Sequence, residues 1–283
     1  MQLESIGKWK VFAIESGLFR LDGGAMMGSV PRVLWEKTNP PDSLNRIELS
    51  MRCLLVDDGE NVVLIETGIG HKNTDKFIDM FAIDHSNFRL SNTLSNHGYS
   101  YENITDVIIT HLHFDHAGGA LFFDNGNLKP TFPNATYHVS KKNWKSAINP
   151  NHRDSASYLA DNYQLLEDNA LLNLFEDNSE ILDGIDSYAV NGHTVGQNLI
   201  KVFDDNEVIV FCSDLIPLVS HLKLPWIMGY DLNAALTLKE KKQFLDKASK
   251  FNWLLFFYHD PKCIAVRVKK DEKYYKIVDE YRR

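Results

Sequence analysis

Residues 110–119 read Thr-His-Leu-His-Phe-Asp-His-Ala-Gly-Gly, and four side chains able to bind a metal, His111, His113, Asp115 and His116, fall within six positions. Alternate residues of an extended segment point the same way, so His111 and His113 can share one target while a following turn brings Asp115 and His116 in from another side. Imidazole and carboxylate donors suit zinc, iron, manganese or cobalt. A thiolate-rich structural zinc site would need cysteine pairs, and the three scattered cysteines, Cys53, Cys212 and Cys263, form none. A lone histidine is ordinarily a packed or surface residue, but four ligand types at this density leave that explanation little room. Three later residues extend the set: His193 within Asn191-Gly192-His193-Thr194-Val195-Gly196, Asp214 just after an apolar run, and His259 after another, before Asp260-Pro261. Each stands at a strand end or in a glycine turn, where function is commonly carried.

The elements that must carry these residues follow from the hydrophobic pattern. Residues 51–56 and 61–66 flank Asp57-Asp58-Gly59-Glu60 and predict a β-hairpin whose second strand runs into Thr67-Gly68. Spaced apolar residues over 75–97 predict a helix, residues 106–110 a short strand ending at the histidine cluster, and residues 135–139 another strand. Residues 141–175 are polar with helical spacing; strands are expected over 185–190, 198–202, 208–211, 253–257 and near 264–268, with a helix over 238–250. Lys269, Lys270 and Lys273 alternate with acids and read as a solvated face. Strands grouped in each half with helices between them predict an α/β protein, one domain over 1–283 with a helical insertion around 141–180.

Composition narrows the partners. The chain has 283 residues, 44% hydrophobic and 24% charged, with 30 Lys plus Arg against 38 Asp plus Glu and a formal net charge of -8. An acidic balance argues against nucleic acid, whose binders draw affinity from clustered basic residues. No apolar run approaches the ~20 residues needed to cross a bilayer, so no membrane partner is expected. No secretory leader precedes the first strand and the cysteines suggest no disulfide framework, which together predict a cytoplasmic protein. A small-molecule substrate is the expected partner, and a homodimer is compatible with the sequence.

Taken together, His-x-His-x-Asp-His, the Gly-His-Thr turn, the later Asp and the final His resemble the metallo-β-lactamase superfamily, in the same order and over nearly the whole chain. The resemblance implies an αββα sandwich with two divalent metals at one edge, zinc first among the candidates and iron, manganese or cobalt as alternatives. It implies that His111, His113 and His193 bind one metal, that Asp115, His116 and His259 bind the other, and that Asp214 bridges them. Asp115 would also orient the hydroxide held between the metals and carry a proton to the leaving group. Two departures stand out. Glu66-Thr67-Gly68 replaces the usual Asp-Thr-Gly, so Glu66 would have to support a ligand histidine through a longer side chain. Val195 stands where proline usually follows the Gly-His-Thr turn.

Longer stretches resemble one branch of that family, the branch containing methyl parathion hydrolase and quorum-quenching N-acyl homoserine lactonases. These are residues 21–31, Leu-Asp-Gly-Gly-Ala-Met-Met-Gly-Ser-Val-Pro, and residues 213–217 with 221–222 and 224–231. The resemblance implies a metal-dependent hydrolase, first a lactonase or esterase acting on N-acyl homoserine lactones, with a phosphotriesterase or arylesterase as the alternative. A non-catalytic metal-binding module is the reading from another class. Met26, Met27, Trp35 and Trp226 are candidates to line an acyl pocket. Many lactonases of the family place a tyrosine three positions after the bridging aspartate, where Pro217 stands here, and His221 is the candidate replacement. His71, His85, His97, His138 and His152 have no motif context and are expected at the surface or satisfied in the core.

Overall fold

The structure is a computed structural model and describes residues 1–204 and 207–283. Strands β1 (Lys10–Asp22), β2 (Arg46–Asp57), β3 (Val62–Ile65) and β4 (Asp106–Ile109) build one side of a six-stranded sheet. After the separate hairpin β5 (Leu121–Asp124) and β6 (Asn127–Pro130), strands β7 (Thr136–Ser140) and β8 (Leu172–Phe175) complete it in the order β1-β2-β3-β4-β7-β8. Strands β9 (Glu180–Leu182), β10 (Ile185–Val190), β11 (Gln197–Asp204), β12 (Glu207–Phe211), β13 (Leu254–Phe256), β14 (Cys263–Asp271) and β15 (Tyr274–Arg282) form a second sheet in which each neighbours the next in sequence. The hairpin expected around Asp57 is present, with Val56 paired to Val63.

The two-residue period of the strands decides how the sheets stack. On the second sheet Ile200, Ile209, Phe211, Leu254 and Phe256 belong to the main core shared with β1 to β4, whereas Leu199, Val210 and Leu255 join Phe244, Leu245 and Ala248 of the helix Ala234–Lys250. Side chains of one strand thus go alternately to the facing sheet and to a helix on the outer surface. Val107, Ile108 and Ile109 of β4 are all fully buried, as expected of a parallel strand covered on both faces. The result is the mixed α/β architecture that the pattern predicts.

Backbone bonds stitch the sheets together beside the site. Ser50 N–H donates to His259 O at 2.9 Å and Arg52 N–H to Tyr258 O at 3.1 Å. The Arg52 guanidinium is fully buried, pairs with Glu15 at 2.7 Å and donates to the carbonyls of Asp260 and Cys263 at 2.8 and 2.9 Å. A buried charge is tolerable only when paired and hydrogen-bonded in this way, and here it clamps the chain on either side of the turn that follows His259.

Several expectations differ from the structure. The helix expected over 75–97 is two short helices, Asp75–Phe81 and Leu90–Ser95, because Ala82 turns left-handed at φ 44° and Asp84 bridges to Leu18 of β1. The insertion around 141–180 is helical only over Lys141–Ile148 and Gln164–Asp168; its later part supplies β8, which pairs in parallel with β7, and β9. β1 is hidden in the sequence by Glu15-Ser16-Gly17, where its register shifts. β15 is a largely exposed, charged edge strand without a clean alternation. No helix among the described residues is long and apolar enough to cross a membrane.

Candidate metal centre

The motif loop leaves β4 at Ile109, runs extended through His113, and turns into the short helix Phe114–Ala117. Gly118 and Gly119 are required by close approach: a Cβ on either would lie 2.4 Å from Ile69 O or 2.2 Å from Thr67 O. Thr67 returns the contact, its N–H and its hydroxyl both donating to His116 O at 3.0 and 2.8 Å. Asn143, at the start of the helix Lys141–Ile148, accepts from Leu112 N–H at 2.8 Å and donates to Val195 O at 3.0 Å, tying the motif loop to the turn that carries His193. Asp214 follows β12 through Ser213, which holds a left-handed φ of 43° and whose hydroxyl lies 2.8 Å from Thr110 Oγ1. His259 follows β13 and is fixed by the backbone bonds to β2.

These routes bring all seven sequence-predicted ligands together in the interior. Ligand atoms of His111, His113 and His193 lie within 4.8 Å of one another, as do those of Asp115, His116 and His259, and those of Glu66, His111 and His116. Asp214 faces the first two groups with different oxygens. Its Oδ2 is 3.2 Å from His193 Nε2 and 3.9 Å from His111 Nε2, and its Oδ1 is 3.4 Å from His116 Nε2 and 3.3 Å from His259 Nε2. Asp115 Oδ2 stands 3.6 Å from His259 Nε2 and 3.9 Å from His116 Nε2.

Charge follows from this packing. Burial, together with the neighbouring imidazoles, holds His111 and His113 well below the usual histidine range, so both present neutral rings with a free lone pair. Burial acts the same way on His116, but the carboxylates of Asp214, Glu66 and Asp115 outweigh it and raise that ring well above its usual value. His193 is likewise raised, by Asp214 and Asp231 against burial. Asp214, despite burial, is driven well below the carboxylate range by His116, His259 and His193.

The cluster is unfinished in hydrogen-bonding terms. His111 Nε2, His113 Nε2, His116 Nε2 and Asp214 Oδ1 are buried without a hydrogen-bond partner. Each such group costs about 1–3 kcal/mol if left so, and their convergence on a common space is what divalent cations would satisfy. The donor set, imidazole and carboxylate with no thiolate, fits zinc and the harder first-row ions alike.

Other groups orient the rings from behind, and most carry no motif signal. Asp231 Oδ1 lies 2.9 Å from His193 Nδ1, Ser50 O lies 3.0 Å from His259 Nδ1, and Thr110 Oγ1 lies 3.0 Å from His111 Nδ1. Glu66, itself at φ 70°, is fully buried; its Oε1 accepts from Thr110 N–H and hydroxyl and stands 3.3 Å from His116 Nδ1. Its longer side chain thus places a carboxylate against that ring. Tyr258 donates its hydroxyl to Asp115 O while its ring lies 4.5 Å from those of both His116 and His259.

The candidate pocket residues fall elsewhere. Met26, Met27, Trp35 and Trp226 are buried members of the main core. Trp226 also lines a cavity of about 930 Å³ that none of the seven ligands reaches. His221 is buried, with Nδ1 left without a hydrogen-bond partner and Nε2 3.0 Å from Met26 O. That bond, with Gly229 N–H to Ala25 O at 2.7 Å, packs the two branch-like segments against each other. An aromatic group absent from the expectations does adjoin the ligands: Phe114, between His113 and Asp115, packs on Phe77 and Phe81 with centroids 5.2 and 5.1 Å apart.

Known proteins resemble this chain over most of its length. An N-acyl homoserine lactonase from Bacillus sp is 25% identical over 226 residues, covering 76% of this chain and 82% of that protein, and one from Bacillus cereus is 25% identical over 228 residues, covering 76% and 83%. Among solved structures, a probable metal-dependent hydrolase from Staphylococcus aureus is 28% identical with a TM-score of 0.90, covering 99% of both chains. The dizinc quorum-quenching lactonase AidC, solved with its product, has the same fold at 21% identity, a TM-score of 0.81, and coverage of 99% of this chain and 97% of its own. The family model of the metallo-β-lactamase superfamily matches residues 49–259, and the chain belongs to that superfamily.

Proposed function

We propose that this chain is a dinuclear metal-dependent hydrolase that opens N-acyl homoserine lactones or closely related esters. The observation that carries the reading is the division of Asp214 between two ligand groups, Oδ2 toward His111 and His193 and Oδ1 toward His116 and His259. On this reading His111, His113 and His193 would hold one divalent ion and Asp115, His116 and His259 the other, with Asp214 serving both groups. Two such ions would lower the pKa of a bound water to near 7 and polarise the acyl oxygen.

The chain's own residues supply the rest. Asp115 lies at the edge of the cluster, with Tyr258 holding its backbone carbonyl, and is placed to move a proton to the leaving oxygen as the acyl C–O bond breaks. Phe114, Phe77 and Phe81 offer an apolar surface beside the ligands for an acyl tail. Tyr230, 40% exposed in the branch-like segment after Met228-Gly229, is the candidate for the phenol that position 217 lacks: partial burial, with the carboxylates of Asp22 and Asp115, pushes it up to about 12, so it would remain a hydrogen-bond donor at neutral pH. The lactonase relatives support the substrate class.

Turnover of purified, metal-loaded protein on acyl homoserine lactones, δ-lactones, paraoxon-type triesters and nitrophenyl esters tests the reading. Lactone hydrolysis is expected to dominate. Triester cleavage without lactone cleavage would move the assignment to a phosphotriesterase, and no turnover on any of them with full metal content would favour a binding module.

A further inference from the structure

Beside the Gly118-Gly119 end of the motif loop lies a second cavity, of about 840 Å³, whose walls include Thr67, Gly119, Lys72, Arg89, Phe122 and Phe123 but none of the seven clustered ligands. That volume is within the range of small-molecule sites, roughly 300–1,000 Å³. One side of the cavity is cationic. Lys72 donates to Gly118 O and to Leu121 O, which leaves its third N–H uncommitted, and Arg89 forms no ion pair among the described residues. His71 lies against His85, the rings tilted with centroids 4.0 Å apart; burial above all, with the His85 and Arg89 charges, lowers it to about 4. Burial brings Lys72 down to about 8, which leaves it mostly protonated at neutral pH.

The other side is apolar. Phe122 and Phe123 on β5 are 41% and 50% exposed, and Tyr101, Pro130 and Pro133 continue the surface. Thr131, 8% exposed, is also part of the cavity wall. Glu102 is the one acidic residue among the cavity walls, and Lys129, also there, is already paired with Asp124 at 2.6 Å.

We propose that this cavity is a second binding site, separate from the metal centre, for an anionic amphiphile: a carboxylate held by Lys72 and Arg89 with an acyl-type tail along Phe122 and Phe123. A ring-opened acyl lactone has this chemistry, and that link alone rests on the proposed function. The cavity argument does not need it.

Octanoate and its neutral counterpart octanamide are titrated into the cobalt-loaded protein, followed by calorimetry and by the visible cobalt spectrum. Octanoate is expected to bind about tenfold more tightly than octanamide, with Arg89→Ala removing that preference and Phe123→Ala weakening both ligands. The cobalt spectrum is expected to stay unchanged through saturation. Equal affinity for the two ligands, no detectable octanoate binding, or affinities unmoved by both substitutions at unaltered thermal stability would overturn the site. A cobalt spectrum that changes in step with octanoate binding would place the carboxylate at the metal centre and overturn it as well. Failure to take up cobalt would count against the metalloenzyme reading alone, because the calorimetric comparison of variants still decides the cavity.

Discussion

The two halves of the ligand cluster are built to the same plan and backed differently. Each takes two ligands from the motif loop and one from the second sheet: His111 and His113 with His193, Asp115 and His116 with His259. The first pair alternates along extended backbone, and the second pair is adjacent in a helical turn. The third ligands differ more. His193 is backed by the carboxylate of Asp231 at 2.9 Å, whereas His259 is backed by the main-chain carbonyl of Ser50 at 3.0 Å. A carboxylate behind an imidazole makes it a better donor and can be altered by one substitution; a carbonyl behind it is a main-chain group that no substitution removes. The third ligand of one half is therefore tunable through its surroundings, and that of the other is held by the main chain.

Asp214 is the one residue common to both halves, and its loss is expected to have the largest effect. Asp214→Ala should lower turnover by about a thousandfold or more and reduce bound metal below two ions per chain, read by steady-state kinetics and elemental analysis. His113→Ala should instead empty the first half preferentially while also abolishing turnover. Unchanged kinetics in either variant would remove the assignment of the cluster as the active site.

Metal removal sharpens the same point on stability. Neutral, buried rings with unpartnered Nε2 atoms are what a cation would satisfy, so a chelator should lower the melting temperature, by the equivalent of about 4 kcal/mol where free metal had stood at a thousand times its dissociation constant. A melting curve indifferent to chelation would mean that the histidines are satisfied without an ion.

How legible this was depends on distance along the chain. The motif loop announces itself because its ligands are neighbours, whereas the single ligands His193, Asp214 and His259, each at a strand end or glycine turn, take their roles only from the family resemblance. Their supports were legible in neither way. Asp231 sits 38 residues from His193, and the Ser50 carbonyl that fixes His259 belongs to a backbone position whose side chain says nothing of it. The same limit applies to the fold: β1 is masked by the Glu15-Ser16-Gly17 irregularity, and Met26, Met27 and Trp35 offered no way to tell a pocket wall from a core residue, since both are apolar.

The contrast between the halves gives the next experiment. Asp231→Asn keeps the shape but removes the charge behind His193, and metal affinity is expected to fall about 10–100-fold, with one of two ions lost first in a chelator titration. Glu66→Gln should act on His116 by the same logic and more weakly, because Glu66 already commits Oε1 to the Thr110 N–H and hydroxyl. Ser50→Ala, which keeps the carbonyl behind His259 and removes the hydroxyl bond to Tyr258 O at 2.7 Å, is expected to cost less metal affinity than Asp231→Asn. Simultaneous release of both ions from Asp231→Asn would break the claim that the halves are backed independently.

The smallest effect expected is at Tyr230, which lies outside both halves and would touch only substrate. Tyr230→Phe removes one hydrogen bond, worth about 0.5–1.5 kcal/mol when neutral, and should lower kcat/KM about three- to tenfold without changing metal content. The readout separates it from every ligand and support: Asp231→Asn moves metal affinity first and turnover through it, whereas Tyr230→Phe moves turnover alone. Should Tyr230→Phe lower metal occupancy as well, its phenol belongs to the support of Asp115 and not to the substrate, and the apolar surface of Phe114, Phe77 and Phe81 would be left as the cluster's only stated contact with the acyl group.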